Sequence, residues 1–140
     1  MQAALAADQT PPPAALNALM ANLQTLELAG GVPDDAQGHF AEARRNAAGL
    51  DGSLEAARRA FRRVSHAMLR AATLTRGPET QQRLVHYYCP MVPGGGGDWL
   101  QPGDELANPY WGDEMLRCGE LAHDLAVADG VLPSRTQPDQ

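Results

Sequence analysis

The sequence contains no lysine, and all eleven of its basic residues are arginine. A phosphate loop of the Gly-x-x-x-x-Gly-Lys kind is therefore excluded. The run Gly94-Gly95-Gly96-Gly97 leads into Asp98-Trp99 without a strand-to-helix context, so it does not read as a nucleotide cradle. The missing lysine has no other functional weight. Cys-x-x-Cys-His for haem and His-Glu-x-x-His for zinc hydrolysis are also absent. Aromatic residues make up only 5% of the chain, so a core must be built mainly from Ala, Leu and Val, a composition that favours helix. No apolar run approaches the ~20 residues of a membrane span. Met1 to Ala7 lacks the charged start and apolar length of a signal peptide, so the expectation is a chain freed of its signal or cut from a larger protein.

Charge is scarce on one side of the chain and concentrated on the other. Residues 1–80 carry eight Arg against eight Asp plus Glu, whereas residues 81–140 carry three Arg against nine acids, so the whole net charge of -6 lies in the second part. That part attracts cations and repels nucleic acid, although salt screens such a field beyond ~8 Å. A nucleic-acid partner lacks the basic surface it needs.

Cysteine is the other scarce residue, and its placement is informative. Cys89 and Cys118 are the only two, and they stand beside Met91 and Met115, two of the five methionines. One loop separates Cys89-Pro90-Met91 from Met115-Leu116-Arg117-Cys118. In extended chain Cys89 and Met91 point the same way, and in a helix Met115 and Cys118 share a face. Asn108 followed by Pro109 predicts a helix start, and Gly119 predicts its stop. Two thiols and two thioethers brought together form a soft donor set suited to Cu(I), with Ag(I) or Zn(II) as competitors.

The motifs Tyr88-Cys89-Pro90-Met91, Gly97-Asp98-Trp99-Leu100, Asn108-Pro109-Tyr110, Gly112 and Met115-Leu116-Arg117-Cys118-Gly119-Glu120 occur here in that order. Together they resemble a small domain of formally unknown function. That domain is found at the C-terminus of periplasmic adaptor subunits of heavy-metal efflux pumps and as free-standing secreted proteins. The resemblance covers Tyr88 to Glu120, with a looser helical lead-in around Phe61-Arg62-Arg63-Val64-Ser65. It implies copper handling in the periplasm or outside the cell, with an efflux or copper-acceptor protein as partner. Carried over by position, the metal ligands are Cys89, Met91, Met115 and Cys118, and the loop anchors are Trp99, Asn108, Pro109 and Tyr110. The sequence departs from the family pattern at Val92-Pro93 and the four glycines, and in the extra indole of Trp111.

Taken in order, a first helix follows Thr10-Pro11-Pro12-Pro13, with Leu16, Leu19, Met20, Leu23 and Leu26 on one face. A second is predicted over 34–48, with Phe40, Ala43 and Ala47 inward. A third is capped by Ser53 and places Leu54, Ala57, Phe61, Val64, Met68 and Ala71 at alternating spacings of three and four. Its opposite face carries Arg58, Arg59, Arg62 and Arg63. Leu84 to Tyr88 reads as extended chain approaching Pro90, and 120–127 as a short fourth helix packing Leu121 and Leu125. The predicted fold class is mainly α: a bundle of three main helices closed by an irregular Cys/Met-rich loop and a short fourth helix. Residues 1–10 are expected to be a disordered lead, 11–132 one domain, and 133–140 a disordered tail.

Each candidate also has a plainer reading. Cys89 and Cys118 can form a structural disulfide, which on the chain-entropy model adds roughly 3 to 4 kcal/mol. Met91 and Met115 can be core fillers, as Met20 and Met68 are expected to be. His86, three residues before Cys89, is a secondary ligand candidate whose odd offset turns it to the opposite strand face. His123 is weaker, and His39 and His66 read as surface or packing residues. Trp99 and Trp111 read as hydrophobic anchors before they read as ring partners for a cation. The expected function is non-enzymatic binding, buffering or transfer of Cu(I). The alternative is a disulfide-stabilised interaction module.

Overall fold

The computed structural model describes residues 1–75 and 84–125. Helix α1 spans Gln2–Ala6, α2 Pro13–Leu28, α3 Asp34–Ala47 and α4 Leu54–Thr75, with a 3₁₀ turn at Ala48–Asp51. Three strands follow: β1 Leu84–Cys89, β2 Gly97–Gln101 and β3 Glu120–Leu125, and a second 3₁₀ turn lies at Gly112–Met115. Local chemistry explains most of the boundaries. Pro13 opens α2, where its missing N–H is not required. Ser53 Oγ accepts the Ala56 N–H at 3.2 Å and caps α4.

The three main helices are where the apolar spacing put them, but the fold is not a helical bundle. The strands form an antiparallel sheet in the order β2-β1-β3, so the architecture is mixed, helices with a small sheet. The short helix expected over 120–127 is overturned in its described part: Glu120–Leu125 is strand β3, paired with β1, and 126–127 lie outside the described residues. Leu121 and Leu125 are four apart, a spacing that keeps one face in a helix and in a strand alike, so the apolar pattern could not distinguish them. What decides is the open edge of β1, whose backbone groups need a partner on both sides. The loop between the cysteines is correspondingly not irregular throughout, since it contains β2.

The first ten residues, expected to be disordered, carry α1, with Leu5 fully buried and Gln2 Nε2 donating to the Ala107 carbonyl at 2.7 Å. The expected tail 133–140, and the end of the expected domain from 126 to 132, lie outside the described residues.

The core runs from Leu23, Phe40 and Leu50 through Phe61 and Val64 to Val85, Trp99 and Tyr110. A chain of rings joins its helical and sheet parts. The Phe61 and Tyr110 centroids are 5.6 Å apart, Tyr110 and Trp99 6.0 Å, and Trp99 and Tyr87 5.7 Å. Tilted and edge-on rings of this kind add to simple area burial.

Candidate functional site

Strand β1 ends at Cys89, and the turn that follows is tied to helix α4. Gly94, Gly95 and Gly96 have φ of 94°, 104° and 94°, a region that L side chains avoid. Arg62 on α4 reads this conformation directly, Nε donating to the Gly96 carbonyl and Nη2 to the Gly94 carbonyl, both at 2.7 Å. Arg58, one turn earlier, donates to the carbonyls of Pro109 and Leu5 and to Asp8 Oδ1. Two arginines assigned from the sequence to the outer face of the helix therefore hold the segment between the cysteines against it.

The other side of that segment is organised by Asn108, which is fully buried. Its Oδ1 accepts the N–H groups of Tyr110 at 2.8 Å and Trp111 at 3.2 Å, the pattern expected of an N-cap followed by Pro109. The helix so capped is only the 3₁₀ turn Gly112–Met115 rather than a helix reaching Cys118. Asn108 also donates through Nδ2 to the Cys118 carbonyl at 2.7 Å, and its own N–H donates to the Leu116 carbonyl at 2.8 Å. Gly119, with φ of 145°, then passes so close to Trp99 that a Cβ there would stand 3.1 Å from the indole.

The outcome is a meeting of the two cysteines. Cys89 Sγ and Cys118 Sγ, 29 residues apart, lie 3.4 Å from one another, and neither is in a disulfide. Cys89 has no exposed surface, whereas Cys118 is half-buried. The hydrogen bond with Cys89, then burial, then the Cys89 charge push the Cys118 thiol above its usual range. The contact is longer than the ~2.05 Å of a disulfide. It is shorter than the ~3.8 Å between two thiolates bound at ~2.3 Å to one tetrahedral ion. A small movement in either direction reaches one of these states.

The thioethers are placed differently from one another. Met91 lies in the turn after Pro90, not in extended chain, and is 58% exposed while Cys89 is sealed. Met115 closes the 3₁₀ turn half-buried, and its carbonyl accepts the Cys118 N–H at 3.0 Å. Among the described residues no three or more His, Cys, Asp or Glu side chains are grouped to hold a metal ion. A bound ion would thus depend on the two thiols with thioether or outside donors.

His86 is turned away from this pair. Strand pairing sets His86 opposite Leu100 and Tyr88 opposite Asp98, on the sheet face that meets α4. There His86 Nε2 is 2.5 Å from Asp98 Oδ2, and His66 Nε2, from α4, is 3.4 Å from Oδ1. All three residues are buried. Burial alone would raise the Asp98 pKa, but the contacts with His66 and His86 and their positive charge outweigh it and hold the carboxyl below its usual range. The Asp98 carbonyl accepts the Tyr110 hydroxyl at 2.5 Å, and burial keeps that phenol protonated. His39 stands apart, 3.7 Å from Glu42. The side chain of His123 lies outside the described residues.

Trp99 is completely buried, its Nε1 donating to Gln101 Oε1 at 2.9 Å. Gln101 in turn donates to the carbonyls of Gly103 and Glu105 and accepts the Ala107 N–H. Sequence reasoning assigned no role to Gln101, took Asp98 only as part of a motif, and read His66 as a surface or packing residue. The only available signal was the strand-like alternation of Asp98 with Trp99, which places a carboxylate on the face opposite a buried indole.

No family model matches the chain, and no curated protein or solved structure was found to be similar to it.

Proposed function

We propose that this chain is a non-enzymatic domain that binds, buffers or hands over Cu(I) outside the cytoplasm, with Cys89 and Cys118 as its thiolate donors. The observation that carries the reading is the 3.4 Å approach of the only two cysteines, imposed by Arg62 on one side and Asn108 on the other. Soft thiolates favour Cu(I) among common metals, and such sites exchange metal by replacing one sulfur at a time. Cys118, being half-buried, is the sulfur an incoming ligand meets, while Cys89 is the sealed end of the site. Met115 beside Cys118, and Met91 at the surface, are the thioether candidates for a third ligand and for the exchange path. The motif order from Tyr88 to Glu120 supports placing the domain with periplasmic copper-efflux components or a copper acceptor. No helix among the described residues is long and apolar enough to cross a membrane.

Native mass spectrometry of the reduced protein with Cu(I) tests this. One Cu(I) is expected on the native chain and on Met20→Leu, and none on Cys89→Ser or Cys118→Ser, with circular dichroism showing that the variants remain folded. Equal loading of all four proteins sinks the site.

The same contact favours a second reading, a structural disulfide, because the two sulfurs need close by only a little to bond. A thiol count separates the two. Two reactive thiols in denatured, freshly isolated protein support the metal site, and none supports the disulfide.

A further inference from the structure

We infer that the cleft between the start of α4 and the turn after Cys89 is a binding site for a small organic anion, an apolar or aromatic body bearing a carboxylate or sulfonate. The cleft has a volume of 580 Å³, within the ~300–1,000 Å³ typical of small-molecule sites. Its apolar lining comes from Leu54, Val92, Pro93 and the ring of Trp111. Three arginines, Arg58, Arg59 and Arg62, line it beside one lining acid, Glu55, and a second acid outside the cleft, Asp8, is paired with Arg58 at 2.8 Å. This is a local reversal of sign in a chain of net charge -6.

Two of these arginines are fixed in place. Arg58 and Arg62 are held by the backbone carbonyls of Pro109, Leu5, Gly94 and Gly96, so their guanidinium groups are ordered before any ligand arrives. Preorganisation of this kind lowers the entropic cost of binding. Arg59 is different: 59% of its side chain is exposed, and its partner Glu55, one helical turn away, is 86% exposed. An exposed pair of this spacing is worth only ~0.3–0.5 kcal/mol, so an anion can take Arg59 from Glu55 at little cost. The planar fork of arginine matches a carboxylate in two hydrogen bonds, which a lysine would not.

Trp111 supplies a second, independent feature. Its Nε1 is buried and has no hydrogen-bond partner in the described structure. Buried N–H groups are nearly always paired, and leaving one unpaired costs roughly 1–3 kcal/mol. The atom itself is sealed, so what Trp111 offers the cleft is its ring. The indole face meanwhile offers a surface on which an aromatic body stacks. Nothing in this site uses the thiol of Cys89 or Cys118, so it stands or falls separately from the metal reading.

The probe is 8-anilinonaphthalene-1-sulfonate, titrated into the reduced native protein and followed by its emission and by energy transfer from tryptophan. One saturable site is expected, and Trp111→Phe is expected to weaken binding several-fold, because the indole face is lost from the cleft wall. Arg59→Glu is expected to weaken binding at least tenfold and Glu55→Gln to tighten it several-fold, while Arg45→Glu on α3, outside the cleft, leaves it unchanged. Naphthalene-1-acetate displaces the probe and its methyl ester does not. Binding that responds equally to Arg59→Glu and Arg45→Glu, or displacement by ester and acid alike, overturns the proposal.

Discussion

Asn108 holds Cys118 by its main chain: the amide Nδ2 donates to the Cys118 carbonyl at 2.7 Å, while Oδ1 of the same side chain caps the turn through Tyr110 and Trp111. One buried side chain thereby fixes both where the turn begins and where the second sulfur comes to rest. The position of the sulfur is thus tied to hydrogen bonds made ten residues upstream, alongside the packing of Cys118 against the core.

Asn108→Asp keeps the Oδ1 acceptor and removes the donor to Cys118, so it separates the two functions. The variant is expected to retain its turn but to place a carboxylate against the Cys118 carbonyl. The equilibrium constant for Cys89–Cys118 bond formation in a glutathione redox buffer should then fall at least tenfold. Asn108→Ala leaves several buried polar groups unpaired and should cost about 2–4 kcal/mol of stability in urea unfolding. An unchanged redox equilibrium in Asn108→Asp would show that the cysteines meet without this clamp.

Asp98 joins the sheet to α4 through His86 and His66. Asp98→Asn replaces one of the two carboxylate acceptors with an amide donor, and a buried ring N–H left without an acceptor costs roughly 1–3 kcal/mol, so the melting temperature should fall by roughly 5 °C.

The folded pKa of Asp98 lies below its unfolded value, so its contribution is fully present above the unfolded carboxylate pKa of ~3.9 and is lost as pH falls through that value towards the folded one. Native protein should therefore lose stability in this acid range more steeply than Asp98→Asn, as measured by urea midpoints from pH 6 downwards. Parallel pH profiles would contradict the charge at Asp98.

The raised pKa of Cys118 sets the sign of a third effect. Metal requires thiolate, so protons compete with it at every pH below that pKa. The apparent Cu(I) affinity should rise with pH, by up to about tenfold per pH unit for each proton displaced, and level off above the Cys118 pKa. Iodoacetamide labelling of Cys118 in Cys89→Ser should be faster at pH 8 than in the native chain, because the hydrogen bond with Cys89 is the largest cause of the shift. Identical labelling rates would remove that cause.

The three main helices were legible because each carries a long apolar stripe with a recognisable start, as at Ser53 and Pro13. The sheet was not. β2 is only five residues long and begins at the last of four consecutive glycines, and Leu121 with Leu125 fits a helix as well as a strand. Only the pairing of β1 on both edges resolves these segments, and pairing is a tertiary property. Arg58 and Arg62 were legible as a helix face but not as clamps, since their partners are carbonyls more than thirty residues away. The approach of Cys89 and Cys118 was expected from their positions at the two ends of one loop. The burial of His66 against Asp98 was hidden because His66 stands off the apolar stripe of α4.

The most direct test of the central claim is an anaerobic titration of Cu(I) into the reduced protein against a competing chromophoric chelator. The account predicts that one equivalent is withdrawn from the chelator by the native chain and that this is lost in both Cys89→Ser and Cys118→Ser. A native chain that leaves the chelator fully loaded would contradict it, and the two sulfurs would then serve structure alone.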